Sequence, residues 1–214
     1  MPEPGDAQRR AHMTMKYGKV DITGLIVDYV EESRFEGRII EHTWNNMGWT
    51  PILKDKPRGN WKAAEAILSI GPKCDVIHIS AHGYLHGIAR DAKGYEGIRP
   101  TEMKWLLEQF YPANKLEDVV LVVNSACNSY STSWVNLFTK NFRVECYVGP
   151  KGKPTFDEGI VFPVAFYLKM WDKALAKKRL TRQTVVTAFE DAKKSVHTDA
   201  KWTLGTRDGI EIED

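Results

Sequence analysis

Residues 74–83 read CDVIHISAHG, an apolar run rich in valine and isoleucine that stops at a histidine followed by glycine. Residues 119–127, VVLVVNSAC, repeat the pattern and stop at a cysteine among small polar neighbours. Continuous apolar runs of this length, bounded by turn-forming residues, suit parallel strands covered on both faces. Functional groups in open parallel sheets gather beyond the carboxyl ends of the strands. His82 and Cys127 are therefore expected on one sheet edge, as a Cys–His pair.

The flanking sequence supplies the rest of such a sheet. Residues 20–30 predict a first strand, with Asp28, Glu31 and Glu32 at its far end, and residues 50–53 a second. Between them, residues 34–47 predict a helix with Ile39, Ile40, Thr43 and Trp44 on one face and Gly48 at its C-terminal cap. Asn60 is placed to cap a helix carrying Trp61, Ala64, Ile67 and Leu68, closed by Gly71 and Pro72. Pro100 opens another, with Met103, Leu106, Leu107 and Phe110 at helical spacing. Residues 144–148 predict a fifth strand, residues 160–176 and 181–197 two helices, and residues 203–214 a short edge strand. This alternation implies an α/β fold, a three-layer sandwich with a mainly parallel sheet and helices on both faces. Residues 1–16, polar and aperiodic, are expected as a flexible tail ahead of one domain over 17–214.

With 43% hydrophobic and 27% charged residues, the 214-residue chain has the composition of a soluble globular domain. A net charge of +2 provides no global field to recruit nucleic acid or a membrane surface. No window holds the roughly 18 apolar residues that span a bilayer, and the first residues lack a signal peptide's apolar centre. A cytoplasmic protein is the expectation. Three cysteines, at 74, 127 and 146, match neither a disulfide framework nor a zinc site, so a free thiol, no metal and no cofactor are expected.

A thiol next to an imidazole can attack a peptide carbonyl, and backbone N–H groups can hold the resulting oxyanion. In this chain His82 would move the proton, Cys127 would attack, and the N–H groups of Gly83 and Cys127 would form the oxyanion hole. ISAHG at residues 79–83 and NSAC at residues 124–127 resemble the histidine and cysteine motifs of the caspase-like (clan CD) cysteine peptidases, especially the bacterial CHAT-type members. The two residues are 45 positions apart, near the roughly 50 of caspases. The resemblance spans residues 20–176 and implies a cysteine endopeptidase acting on a protein or peptide substrate. It also implies regulation: a regulatory or activating protein, a place in bacterial defence or cell death, and self-cleavage in residues 84–99 or 151–159. The glutamine before Ala-Cys that caspases carry is absent, which detaches the chain from strict cleavage after aspartate.

An acid in the specificity pocket would select lysine or arginine. Asp28 and Asp157 are candidates, whereas Ser125 stands where relatives that prefer basic residues carry an acid, which leaves an apolar or small residue at the cleavage site open. His78 shares a strand face with Ser80 and His82 and reads as a packing residue; His86 is a lesser alternative base. Trp44, Trp61, Trp105 and Trp134 fall on helical faces and read as core. Two other readings stay open: a catalytically inactive interaction or scaffold module of the same fold, and a small-molecule-binding α/β domain. The second lacks any glycine-rich phosphate loop after a strand.

Overall fold

The structure is a computed structural model that describes residues 20–30, 35–84, 87–90, 97–110 and 116–213. The expected tail, Glu31, Glu32 and His86 lie outside the described residues. In chain order the elements are β1 (Thr23–Asp28), α1 (Glu36–Asn46), β2 (Thr50–Asp55), α2 (Asn60–Ile70), β3 (Val76–Ser80), β4 (His82–Tyr84), β5 (Gly87–Ala89) and β6 (Gly97–Ile98). There follow α3 (Pro100–Phe110), β7 (Leu121–Asn124), α4 (Thr132–Asn136), β8 (Cys146–Pro150), α5 (Phe156–Lys177), α6 (Arg182–Ser195), β9 (Trp202–Thr206) and β10 (Glu211–Glu213).

Seven strands form the main sheet in the order β10-β9-β8-β7-β3-β1-β2. Five are parallel, and β9 and β10 close one edge as an antiparallel hairpin. Strand alternation sends Leu25, Val27, Ile77 and Val122 to one face, where they meet Ile67, Met103, Trp134 and Phe138 of α2, α3, α4 and the π-turn that follows it. Ile26, Leu121 and Val123 face the other way, against Trp44, Phe162, Phe166 and Phe189 of α1, α5 and α6. The α/β three-layer sandwich is thus built by period-2 strands feeding two separate apolar clusters.

Packing explains two small residues in this frame. A Cβ on Gly24 would lie 2.2 Å from Trp44 Cζ3, so the indole needs a bare strand backbone beneath it. Gly48 has φ of +77° and follows α1 in the left-handed conformation that glycine tolerates best.

Several expectations change. The N-cap of α2 is Gly59, at φ of +90°, rather than Asn60, because the sharp entry into the helix requires a conformation open to glycine. Residues 84–99 are not simply a loop: their described parts join His82 in a three-stranded antiparallel sheet, β4-β5-β6. Residues 203–214 contribute to two strands rather than one. The loop after β8 ends earlier than expected. Thr155 accepts from the Glu158 N–H while the Glu158 carboxylate accepts from the Thr155 N–H, a capping box that starts α5 at Phe156.

Candidate active site

β3 and β7 lie side by side with Ile79 opposite Asn124, so His82 and Cys127 each stand three residues past the same rung. The ladder continues one step further, with the Ser125 N–H donating to the Ile79 carbonyl at 3.0 Å. Beyond it the strands' extensions still touch. A Cβ on Gly83 would fall 2.0 Å from the Cys127 carbonyl oxygen and 2.9 Å from Cys127 Cβ. Only a glycine lets the segment after His82 lie this close to the cysteine, so His82, Gly83 and Cys127 share one small region of the carboxyl edge. His82, Gly83 and Cys127 are each half-buried, and Cys127 is a free thiol.

The cysteine turn is held from below and from the side. Asn124 accepts the Ala126 N–H on its side-chain oxygen at 3.1 Å and the Ser129 hydroxyl on its carbonyl at 2.7 Å. The buried Tyr147 hydroxyl donates to the Ser129 carbonyl at 3.0 Å. Gly149 makes room for this, since a Cβ there would sit 2.5 Å from Ser129 Oγ. Asn128 adopts φ of +54°, a conformation that asparagine tolerates better than most residues. Its N–H donates to the Gly152 carbonyl at 2.8 Å, and the Tyr130 N–H donates to the Pro150 carbonyl at 3.0 Å. The chain therefore runs sideways for several residues before α4 begins at Thr132, capped by Ser131. The serines and threonines that follow Cys127 suggest a helix starting right after it, with an N-terminus that would favour the thiolate, but the helix starts only at Thr132 and the turn is secured by the end of β8 instead.

The other two thiols differ sharply from this one. Burial, with help from Asp75, pushes Cys74 up to about 11. Burial, followed by Glu145, pushes Cys146 up to about 12. Both are inert packing groups near neutral pH.

A polar row crosses the sheet next to the pair. Asp55, Asp28 and Ser80 are neighbours on β2, β1 and β3, and the bond from Ser125 to Ile79 places Ser125 next in line. Asp28 is 2% exposed, held under the first turn of α1, where a Cβ on Gly37 would lie 2.5 Å from its carboxylate. Loss of solvation, then repulsion from Glu36, raises its pKa from 3.8 to about 6. Ser125 is also buried, and its hydroxyl donates to the Ile79 carbonyl at 3.2 Å. Asp157 is exposed in the first turn of α5, so it belongs to a helix rather than to the preceding loop.

His78 is fully buried beneath the row. Its Nε2 lies 2.9 Å from the Glu36 carboxylate and its Nδ1 2.8 Å from the Tyr167 hydroxyl. A carboxylate only accepts, so Nε2–H is the donor to Glu36. Burial, then the Glu36 charge, pushes the Tyr167 phenol well above its usual range, which keeps its hydroxyl protonated. His78 thus serves in the core as a satisfied polar bridge among α1, β3 and α5. Glu36 and Tyr167 gave no sequence signal, because they approach His78 from positions 42 and 89 residues away.

Among the described residues no group of three or more His, Cys, Asp or Glu side chains can hold a metal ion. No described helix is long and apolar enough to cross a membrane. No family model matches the chain, and no curated protein matches it. Among solved structures, a short-chain flavodoxin associated with a non-canonical PDU bacterial microcompartment is similar at 13% identity and a TM-score of 0.35, over 68% of this chain and 99% of that one.

Proposed function

We propose that this chain is a cysteine endopeptidase that cleaves a protein substrate through a Cys127–His82 dyad. The observation that carries the reading is the contact between the Gly83 backbone and Cys127, which gathers a half-buried free thiol and a histidine at the carboxyl ends of adjacent parallel strands. In this reading Cys127 Sγ, after giving its proton to His82, attacks the scissile carbonyl. The N–H groups of Gly83 and Cys127 bind the oxyanion, and His82 returns the proton to the leaving amine. Water then hydrolyses the thioester, with His82 as base. A regulated enzyme of bacterial defence or cell death, working in the cytoplasm on a partner protein, extends the resemblance of its two motifs. In the row of Asp55, Asp28, Ser80 and Ser125, the Asp28 carboxylate is the one on the strand next to β3, which leads to His82. A substrate side chain reaching that row meets an acid, which favours lysine or arginine at the cleavage site.

Cleavage of a peptide library, read by mass spectrometry, tests the proposal. Cys127→Ala and His82→Ala should each abolish turnover, and a thiol-reactive peptide probe should label Cys127 alone. Labelling of Cys74 or Cys146 instead, or turnover that survives Cys127→Ala, overturns it. A folded wild-type chain with no thiol reactivity would instead be an inactive scaffold of the same fold.

A further inference from the structure

Trp61 and Trp105, expected in the core, are exposed, and they meet Phe110 in a surface cluster between α2 and α3. The three residues are 53%, 46% and 60% exposed. Their rings nonetheless pack on one another, with centroids 5.6 Å apart for Trp61–Trp105, 5.7 Å for Trp105–Phe110 and 6.2 Å for Trp61–Phe110. Aromatic groups held against each other lose little further freedom when a ligand arrives, and such groups dominate the energetics of protein interfaces.

The cluster frames a pocket of about 200 Å³, lined by Trp61, Glu65, Leu68, Leu106 and Phe110. The adjoining groove shares Glu65 and is lined by Lys54, Arg58 and Lys62. Glu65 is ion-paired with Lys62 at 2.6 Å, so the groove keeps a net positive charge. On the opposite side a smaller hollow runs from Trp61 and Trp105 to Gly97 and Ile98 of β6. β6 pairs with β5, and β5 pairs with the His82–Gly83 strand. The surface is therefore connected to the candidate active site through one small sheet.

We propose that this surface docks an acidic protein segment, which inserts one bulky apolar side chain into the pocket lined by Trp61, Leu68, Leu106 and Phe110 and lays carboxylates along Lys54 and Arg58. The charge of the groove selects the acidic flank, and the concave aromatic pocket selects the anchor. Single-stranded nucleic acid would also answer to positive charge, but it needs open ring faces for stacking, and these rings are engaged edge-to-face. The inference is independent of the peptidase reading, because docking requires neither His82 nor Cys127.

Fluorescence anisotropy on the full chain tests it, with short labelled peptides carrying a central Trp, Phe or Leu flanked by Asp and Glu. The same peptides with Lys and Arg flanks and a labelled oligo-dT serve as the competing arms. Acidic peptides should bind, more weakly as salt rises. Trp105→Ala and Phe110→Ala, both at exposed positions, should each weaken binding at least roughly tenfold. Lys54→Glu with Arg58→Glu should abolish the preference for acidic flanks, and Cys127→Ala should bind as the wild type does. Circular dichroism confirms that each variant is folded. Binding of acidic peptides to neither wild type nor Cys127→Ala, binding indifferent to Trp105→Ala and Phe110→Ala, or tighter binding of oligo-dT overturns the proposal. So does a wild-type dimer in sedimentation that Trp105→Ala dissociates, since a second copy would then be the occupant.

Discussion

Replacing Asp28 by Asn should stabilise the protein above neutral pH and leave it unchanged in acid. Asp28 is buried at the end of β1, with loss of solvation and the nearby Glu36 charge lifting its pKa from 3.8 to about 6. Between those values the folded chain keeps a proton that the unfolded chain has released, so stability falls as pH rises through the window. Above about pH 6 the cost of holding the carboxylate ionised is fully present. The separation of the two values corresponds to about 3 kcal/mol. A protonated carboxyl and a neutral amide serve the N–H groups of Val30 and Gly37 about equally, so about 3 kcal/mol is the expected gain. For a chain of this size that is about 6–12 °C in Tm. Calorimetry of both proteins across pH 4 to about 8 should give a Tm difference near zero at the acid end that opens through the window and then levels. A difference independent of pH, or a wild type more stable than the variant above pH 6, would refute the electrostatic account of this carboxylate. A bound guanidinium compound should reverse the trend by favouring the ionised form, which links the stability measurement to the selectivity proposed for this row.

Other perturbations test the remaining parts of the site. Gly83→Ala forces a methyl against the Cys127 carbonyl; it should cost about 1–3 kcal/mol in denaturant unfolding and slow probe labelling of Cys127 in the folded protein. His78→Ala strands the buried Glu36 carboxylate without its donor and should destabilise by about 3 kcal/mol, whereas unchanged stability would mean that water replaces the bridge. Thr155→Ala removes the capping box at α5 and should cost about 1 kcal/mol, read as a shift in the urea midpoint with an unchanged slope.

The strands carrying the pair were legible because a strand covered on both faces must be apolar at every position, and such runs have few other destinations in a chain of this polarity. The edge position of His82 and Cys127 followed from that. The β4-β5-β6 sheet was not legible: its strands are two or three residues long, too short for a period, and its glycines read as loop. Trp61 and Trp105 were misassigned to the core because they keep the helical spacing of buried neighbours. Spacing fixes which residues share a face, not whether another element covers it. The cysteine turn misled for a related reason. Serines and threonines after Cys127 offered several caps, and only the bonds from Asn128 and Tyr130 to the end of β8 determine that the chain waits until Ser131 to use one.

Those two bonds set what kind of change the region after β8 can absorb. They end on main-chain carbonyls, those of Pro150 and Gly152, which most replacements present in the same way. The side chain at Lys153 is therefore open to substitution without disturbing the seat of Cys127, whereas Lys151 is tied to Glu211, Glu213 and the Tyr130 ring. Length is fixed between Pro150 and Gly152: one residue added or removed there moves a carbonyl out of reach, leaving Asn128 in a left-handed turn without its anchor. Across homologues, residues 150–152 should keep a fixed count, while position 153 varies in composition.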